Sequence, residues 1–339
     1  MGIRDICGKL YFGAAVSPYV LKDERCKAIL KEEFSSLTCE NDMKPERLLD
    51  RDATLKAGEE NRARLSFARA EEIISFAAAN GQRMRGHTLV WHNQTPRWFF
   101  AEGWQDAPDA PLADRGTMLK RMENYIRDVM DYMHRQHPGL IYAWDVLNEF
   151  IEPDNGHEHG CRTRKNLWFD ILGEEVPYRA FSFARRYAAP GEKLFYNDYN
   201  EYEQPKRDLI SRMLRPLIDK GLVDGMGLQS HIGMEHPSFE SYEAALKAYA
   251  DMGLCLEVTE LDMRLAAADA VSFQKQAERY GALARLMRAC PAVDSVTLWG
   301  VTDAFTWLSR PDAPAYPLLF DREGNKKPAY DAVREALKI

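Results

Sequence analysis

The stretch "YAWDVLNEF", residues 142–150, joins the pattern of a buried strand to a polar ending. Val146 and Leu147 are apolar residues suited to a protein core, but Asn148 and Glu149 follow directly after them. A carboxylate costs free energy when it is buried without a partner. This ending therefore indicates a strand that leaves the core and delivers its last side chains to a polar site.

A second stretch, "GLCLEVTELD" at residues 253–262, repeats the arrangement. Leu254, Leu256 and Val258 are its apolar positions, and it closes on Glu260 and Asp262. Two apolar strands that each end on a glutamate require a fold that brings both strand ends to one place.

The rest of the chain alternates short apolar runs with longer stretches of helical periodicity. Runs of the first kind predict eight strands, at 10–15, 36–39, 83–89, 143–147, 193–196, 225–228, 254–258 and 295–298. Stretches of the second kind predict eight helices, near 23–34, 67–79, 114–137, 178–189, 206–220, 238–250, 272–288 and 328–338. Such alternation is typical of parallel strands joined by right-handed crossovers.

Eight strand–helix units predict an α/β protein with a single (β/α)₈ TIM barrel over residues 1–339. An open doubly wound sheet is the alternative, but it usually carries a glycine-rich phosphate turn after its first strand. The corresponding segment here, "FGAAVSPY", is not such a turn.

Composition narrows the possible partners. The 339 residues carry a net charge of −7, which disfavours nucleic acid or an anionic membrane as the main partner. No apolar run approaches the roughly 18 residues of a membrane span, and the N-terminus lacks the apolar region of a signal peptide. The six cysteines show no C-x-x-C pair and are expected to be thiols. We therefore expect a cytoplasmic protein, or a secreted one if a signal peptide has been removed.

Polar residues follow nearly every predicted strand. In a barrel these positions meet at the carboxyl-terminal face, where active sites are built. Besides the two glutamates, they are Glu40, Asn41, Lys44, His87, Trp91, His92, Asn148, Asn197, Asp198, Tyr199, Asn200, Gln229, His231, Asp262, Trp299 and Asp303.

This set of side chains favours a carbohydrate site. Glycoside cleavage uses one protonated carboxyl group for the leaving oxygen and one ionised carboxylate for the positive charge that develops at the sugar carbon. Amide and imidazole groups bond sugar hydroxyls, and indole faces suit the C–H faces of a pyranose ring.

Several motifs make the interpretation sharper. The stretches "LTCENDMK", "RGHTLVWHNQTPRWFF", "WDVLNE", "FYNDYN", "GLQSH", "EVTELDMR", "WGVTDAFTWL" and "PLLFDREGNKKPAY" resemble those of glycoside hydrolase family 10. They occur in the family's order and span nearly the whole chain. The resemblance implies an endo-β-1,4-xylanase on a (β/α)₈ barrel, which works with retention on xylan or xylo-oligosaccharides.

The resemblance also implies roles for individual residues. Glu149 would be the general acid/base, Glu260 the nucleophile, and Asn148 a ligand of the sugar 2-hydroxyl. His231 and Asp262 would orient the nucleophile. Sugars on the glycone side would bind Glu40, Asn41, Lys44, His87 and Gln229. The walls of the site would be Trp91, Trp299 and Trp307, and Tyr199 would lie toward the aglycone. No metal or cofactor is implied. We expect a monomer with no appended carbohydrate-binding module.

Other readings remain open at this point. A cellulase or mannanase of similar plan shares the Asn-Glu pair but not "RGHTLVWH" in this form. A non-catalytic barrel is expected to have lost one glutamate, and both are present. A metal-dependent hydrolase would have a His-x-His pair at an early strand end. A Schiff-base aldolase would have a lysine at a late one.

Some candidates also have a structural interpretation. Asp145 and Glu257 precede the strand ends, so we expect them to be scaffold carboxylates paired with buried donors. Glu152 is expected to be a loop charge and Lys44 could be a surface charge. We expect a structural role for four histidines: His134, His137, His157 and His159. His92 is either a core histidine or a site residue. We expect Trp144 and Trp168 to lie in the core. A metal held by "HEHGC" is the minority alternative.

Overall fold

Eight parallel strands close into a barrel in the computed structural model, which describes residues 1–338. Each strand pairs in parallel with its neighbours along the chain, and the last strand pairs with both the seventh and the first. The predicted (β/α)₈ barrel is confirmed. Its strands are β1 Tyr11–Val16, β2 Ser36–Cys39, β3 Arg83–Trp91, β4 Ile141–Asn148, β5 Lys193–Asp198, β6 Gly225–Leu228, β7 Cys255–Met263 and β8 Val293–Leu298.

Helices surround the barrel, and the eight predicted ones all occur. Three further helices, the second, third and sixth along the described chain, were not predicted, because they have two turns or fewer and show little periodicity. The helices are α1 Glu24–Glu33, α2 Pro45–Leu48, α3 Arg51–Ala57, α4 Ala70–Ala79, α5 Arg115–Gln136, α6 Leu167–Leu172, α7 Val176–Tyr187, α8 Gln204–Ile218, α9 Phe239–Ala250, α10 Ala270–Ala289 and α11 Pro328–Leu337.

Helix α5 shows how the sequence determines an outer helix. Asp114 caps its start, because the carboxylate accepts hydrogen bonds from the backbone N–H groups of Gly116 and Thr117. Apolar residues then recur every three or four positions and are buried against the barrel, as Met118, Met122, Tyr125, Ile126, Val129, Met130 and Met133. None of the helices within residues 1–338 is long and apolar enough to cross a membrane.

Below the cleft, the barrel interior holds a buried ion pair network. The Arg85 guanidinium contacts Glu257 at 2.5 Å and also bonds Asp145, and all three side chains are fully buried. Asp145 also meets the His87 ring nitrogen Nδ1 at 2.9 Å. The expectation that Asp145 and Glu257 are scaffold carboxylates is confirmed, since a buried charge is tolerated when it is paired and hydrogen-bonded.

Where β3 and β4 pack together, there is no room for a side chain on one residue of β3. A Cβ atom at Gly86 would lie 2.0 Å from the Trp144 ring, so only glycine fits there. Trp144 and Trp168 are both buried, which confirms their expected place in the core.

Candidate active site

One cleft lies at the carboxyl-terminal face of the barrel, with a volume of about 560 Å³. Every residue expected to bind substrate lines this cleft, together with both glutamates, Asn148 and His231. Asp262 does not line it, and lies behind His231. The remaining lining residues are Asn93, Gln94 and Asn200.

Glu149 follows directly after β4, where its backbone takes the left-handed conformation at φ 55°. Trp91 Nε1 donates a hydrogen bond to one carboxylate oxygen at 3.0 Å, and Gln229 Nε2 donates to the other at 3.0 Å. Burial raises the pKa of Glu149, the negative charges of Asp198 and Glu260 raise it further, and the two hydrogen bonds oppose the shift. The carboxyl group is therefore biased toward its protonated form.

Glu260, within β7, has the opposite bias. His231 Nε2 lies 3.2 Å from one carboxylate oxygen, and Asn197 Nδ2 donates to the other at 2.8 Å. Burial alone would raise the pKa of Glu260, but the His231 hydrogen bond and the charges of His87, His231 and Lys44 outweigh it and lower the pKa to about 2. This carboxylate stays ionised at any ordinary pH.

A chain of polar side chains supports Glu260 from behind. His231 Nδ1 lies 3.0 Å from Asp262, whose other oxygen accepts a hydrogen bond from Trp307 Nε1 at 2.7 Å. Burial would lower the pKa of His231, but Asp262 and Glu260 raise it well above its ordinary value. The imidazolium therefore sits between two carboxylates and donates to both.

Asn197, at the end of β5, joins the two halves of the site. Its Nδ2 group donates to Asn148 at 2.9 Å and to Glu260 at 2.8 Å, while its carbonyl oxygen accepts from Thr259 at 2.6 Å. Sequence reasoning placed Asn197 at a strand end but gave it no role. Its position at the strand end was the only sign of a role. The residue type could not single it out, because Asn200 in the same "FYNDYN" stretch is also an asparagine.

Three residues that follow β2 also line the cleft: Glu40, Asn41 and Lys44. Lys44 is 5% exposed, which excludes the surface-charge alternative. Its ammonium group donates to Asn41 at 3.2 Å and lies 4.8 Å from the centre of the Trp91 ring. Burial lowers the pKa of Lys44, and the neighbouring Glu260 and Glu40 carboxylates oppose this.

Two tryptophans close the cleft near His231. Trp299 is buried and its ring centre lies 5.4 Å from that of His87. Trp307 is 53% exposed, and its ring centre lies 5.1 Å from that of His231. An exposed indole tethered through Asp262 forms a firm apolar wall without being part of the core.

The loop after β4 holds contacts that the sequence did not indicate. Arg162 bonds the Tyr199 hydroxyl at 2.9 Å and pairs with Glu152 at 2.8 Å. Glu152 therefore lies in the loop, as expected, where it is half-buried and ion-paired. His92 is half-buried beside this loop, and burial lowers its pKa to about 3, so it is a neutral histidine.

In the "HEHGC" segment, the Nδ1 atoms of both histidines have protein partners. His157 Nδ1 accepts from the backbone N–H groups of His159 and Cys161, and His159 Nδ1 lies 2.7 Å from Glu174. Within residues 1–338 no three metal-ligating side chains are grouped to hold an ion. His134 and His137 pair with Glu192 and Glu71 outside the cleft.

A closed barrel with two unlike carboxylates at its carboxyl-terminal face, among amides and indoles, defines a glycoside hydrolase site. Comparison with known families agrees: the model of glycosyl hydrolase family 10 matches residues 4–336, and the chain belongs to this family. Membership sets aside the metal-dependent and Schiff-base alternatives.

The chain is similar in sequence to proteins named as endo-1,4-beta-xylanases. The chain is 44% identical to endo-1,4-beta-xylanase B of Butyrivibrio fibrisolvens, over 96% of this chain and 51% of that protein. It is 38% identical to endo-1,4-beta-xylanase Y of Acetivibrio thermocellus, over 95% of this chain and 31% of that protein. The chain thus spans about half, or less, of the length of these relatives.

Solved structures show the same fold. The CBM22-1–GH10 modules of Clostridium thermocellum xylanase 10B, complexed with xylohexaose, match with a TM-score of 0.87 and 35% identity, over 96% of this chain and 65% of that one. A mutant of the intracellular xylanase TsXylA of Thermoanaerobacterium saccharolyticum, complexed with xylotriose, matches with a TM-score of 0.84 and 31% identity, over 98% of this chain and 96% of that one.

Proposed function

We propose that the protein is a retaining endo-1,4-β-xylanase that hydrolyses β-1,4-xylosidic bonds in xylan or xylo-oligosaccharides. The observation that carries the proposal is the contrast between two carboxyl groups in one cleft, Glu149 biased toward protonation and Glu260 held ionised. The xylanases among its relatives support xylan as the substrate.

In the first step, Glu149 gives its proton to the glycosidic oxygen while Glu260 attacks the anomeric carbon. The C–O bond to the leaving sugar breaks, and a covalent glycosyl-enzyme forms on the Glu260 oxygen. His231 and Asp262 keep Glu260 ionised and hold it in place for this attack. Asn148 would bond the 2-hydroxyl of the sugar that is cleaved.

In the second step, the Glu149 carboxylate takes a proton from a water molecule. The oxygen of that water attacks the anomeric carbon, and Glu260 leaves as a carboxylate. Two displacements at the same carbon restore its configuration, so the product has the anomeric form of the substrate.

The cleft walls suggest where the chain of sugars lies. Glu40, Asn41, Lys44, His87 and Gln229 would bond sugar hydroxyls on the glycone side, and Tyr199 would lie toward the aglycone. Trp91, Trp299 and Trp307 would wall the site. Trp299 and Trp307 would fill the space of a glucose hydroxymethyl group, which xylose lacks, and this favours xylan over cellulose.

We further propose that the chain acts as one catalytic domain, as a monomer, with no metal or cofactor. The likeness to an intracellular xylanase supports an intracellular location. Fractionation of the source cells, with activity measured in each fraction, tests the location.

Product analysis tests the activity itself. Xylan and xylohexaose should be cut internally, and proton NMR of the first product should show the β-anomer. An α-anomer at early times would contradict the double displacement. A crystal structure should place the two carboxyl groups roughly 5–5.5 Å apart, and a separation of roughly 6.5–9.5 Å would point to inversion.

Substrate choice is tested with aryl glycosides. The kcat/KM for an aryl xylobioside should greatly exceed that for the matching aryl cellobioside. Comparable values would mean that Trp299 and Trp307 do not exclude the hydroxymethyl group.

A further inference from the structure

The loop after β4 folds back on itself beside Glu149. Ile151 and Cys161 form an antiparallel bridge, and the backbone N–H of Arg162 donates to the Phe150 carbonyl at 2.7 Å. The "HEHGC" segment, residues 157–161, forms the returning side of this hairpin, and the Glu152 N–H donates to its Gly160 carbonyl at 2.8 Å. The hairpin therefore returns the chain so that Arg162 stands next to the residue that follows β4.

All three guanidinium nitrogens of Arg162 have partners. Nε donates to the backbone carbonyl of Glu149 at 2.9 Å, Nη1 to the Glu152 carboxylate at 2.8 Å, and Nη2 to the Tyr199 hydroxyl at 2.9 Å. The residue is 8% exposed. A buried guanidinium whose rigid fork meets three different partners fixes their relative positions more tightly than a flexible ammonium could.

The Glu149 backbone has particular need of such support. Its φ of 55° is uncommon for a residue with a side chain, so its neighbours must hold it there. On one side, the N–H groups of Phe150 and Ile151 both donate to the Tyr196 hydroxyl at 3.0 Å. Arg162 holds the Glu149 carbonyl.

Tyr199 is held from two directions. Its hydroxyl accepts from Arg162, and the ammonium group of Lys206 lies 3.8 Å from the centre of its ring. Lys206 is in turn anchored by Asp198 at 2.7 Å. Tyr199 lines the cleft, so Arg162 is bonded to a side chain that faces the substrate space.

We propose that Arg162 is a positioning residue that links Glu149 to Tyr199, so that protonation of the leaving sugar and its binding depend on one side chain. This inference rests on the proposed function. It extends that function by assigning to the loop after β4 the control of the leaving-group side of the reaction. Within residues 1–338, no hydrogen bond or ion pair of the Arg162 side chain reaches a residue of the glycone side, so binding there should not depend on it.

The test compares kcat/KM on two substrates. Cleavage of xylohexaose needs a proton donor and a bound leaving sugar, whereas cleavage of dinitrophenyl xylobioside needs neither. For both substrates, kcat/KM reports the steps up to and including formation of the glycosyl-enzyme, so the two values can be compared. Arg162→Met should lower kcat/KM on xylohexaose about tenfold or more, since small misplacements of catalytic groups are costly. On dinitrophenyl xylobioside the loss should stay below about twofold.

Arg164 supplies a matched control in the same loop. It is exposed, and no hydrogen bond or ion pair of its side chain occurs in the part of the chain that the structure describes. Arg164→Met should leave both kcat/KM values unchanged. Arg162→Lys keeps the charge but loses the fork, so it should show the same substrate split with a smaller loss. It replaces Arg162→Met in the comparison if thermal melting shows that Arg162→Met does not fold.

A double-mutant cycle with Tyr199→Phe tests the link itself. If Arg162 acts through Tyr199, the double variant should lose less activity on xylohexaose than the product of the two single losses. Equal losses on both substrates, no loss on xylohexaose, or full additivity would overturn the proposal. Wild-type hydrolysis of xylan is measured separately, and its absence would refute the proposed function rather than the role of Arg162.

Discussion

Glu149 and Glu260 occupy the same cleft at the ends of β4 and β7, yet their surroundings differ in the kind of donor they supply. Glu149 accepts hydrogen bonds from the neutral groups of Trp91 and Gln229, and burial keeps its pKa raised. Glu260 faces the His231 imidazolium and the Lys44 charge, which lower its pKa to about 2.

This difference separates an acid from a nucleophile without any difference in residue type. Burial pushes both carboxyl groups toward protonation, so the balance is decided by whether cations are placed nearby. The neutral donors of Glu149 lower its pKa too little to offset burial, whereas the hydrogen bond and cations around Glu260 outweigh burial. The contrast can be broken at either glutamate or at the His231 cation between Glu260 and Asp262, and it would be incomplete if the chemistry needed a metal ion.

The largest expected effect comes from removing Glu260. Glu260→Ala eliminates the nucleophile, so activity on xylan should fall by about 10⁴-fold or more. No burst of phenol should appear with any aryl xylobioside, whatever its leaving group. Glu158, an exposed glutamate of the loop after β4, gives a control, and Glu158→Ala should keep wild-type rates. A phenol burst from Glu260→Ala would assign the nucleophile elsewhere.

Removal of Glu149 should give an effect that depends on the leaving group. Glu149→Ala should lose about 10²- to 10⁴-fold on xylan, because a sugar hydroxyl needs a proton to leave. Dinitrophenol leaves without help, so the variant should still form the glycosyl-enzyme and release a burst of phenol. It should then stall, because no base remains to activate water.

Added azide should speed turnover of Glu149→Ala, since an anion attacks without a general base. A burst in Glu260→Ala and none in Glu149→Ala would mean that the two roles are exchanged. Near-normal activity of both variants on xylan would mean that the two glutamates are not catalytic.

A smaller effect, with a characteristic pH dependence, is expected at His231. His231→Ala removes the donor and charge that lower the pKa of Glu260, so that pKa should rise from about 2 toward its ordinary 4.5. Since Glu260 must be ionised, the acidic limb of kcat/KM should move to higher pH, with a loss of about 10²-fold at the optimum. His137→Ala, which breaks a pair with Glu71 outside the cleft, should not move this limb. An unmoved limb in His231→Ala would contradict the assigned cause.

The same linkage has a consequence for stability. A carboxylate with a lowered pKa in the folded state stabilises the fold above its unfolded pKa, and this contribution is lost as pH falls from about 4.5 to about 2. Chemical denaturation of wild type and His231→Ala across that range should show a steeper loss in wild type. Parallel losses would mean that His231 does not account for the lowered pKa.

The sequence predicted the barrel because its signals repeat. Every strand–helix unit has its own apolar run and its own periodic stretch, so eight local patterns agreed on one topology. The separation of Asp145 and Glu257 from Glu149 and Glu260 was also predictable. Side chains alternate along a strand between the barrel interior and the surrounding helices, and those at its carboxyl end meet the cleft. Asp145 and Glu257 lie before the strand ends, inside the barrel.

Asn197 and Arg162 could not be assigned in the same way. Their contacts reach across sequence separations of 49 and 63 residues for Asn197 and 37 residues between Arg162 and Tyr199. No local pattern encodes which distant partner an amide or guanidinium will meet. The fold decides this by register and by the return of the β4 loop.

The smallest expected effect is that of removing metal ions, which should not change the activity. If the contrast between the two carboxyl groups suffices for the chemistry, no third charge is required. In "HEHGC", His157 Nδ1 is occupied by backbone N–H groups and His159 Nδ1 by Glu174. Dialysis against a chelator should therefore leave the rate on xylan unchanged, with a mock-dialysed sample as the control. A large loss of activity that one divalent ion restores would show that the two carboxyl groups do not suffice for the chemistry. His159→Ala would then show whether this segment binds the ion.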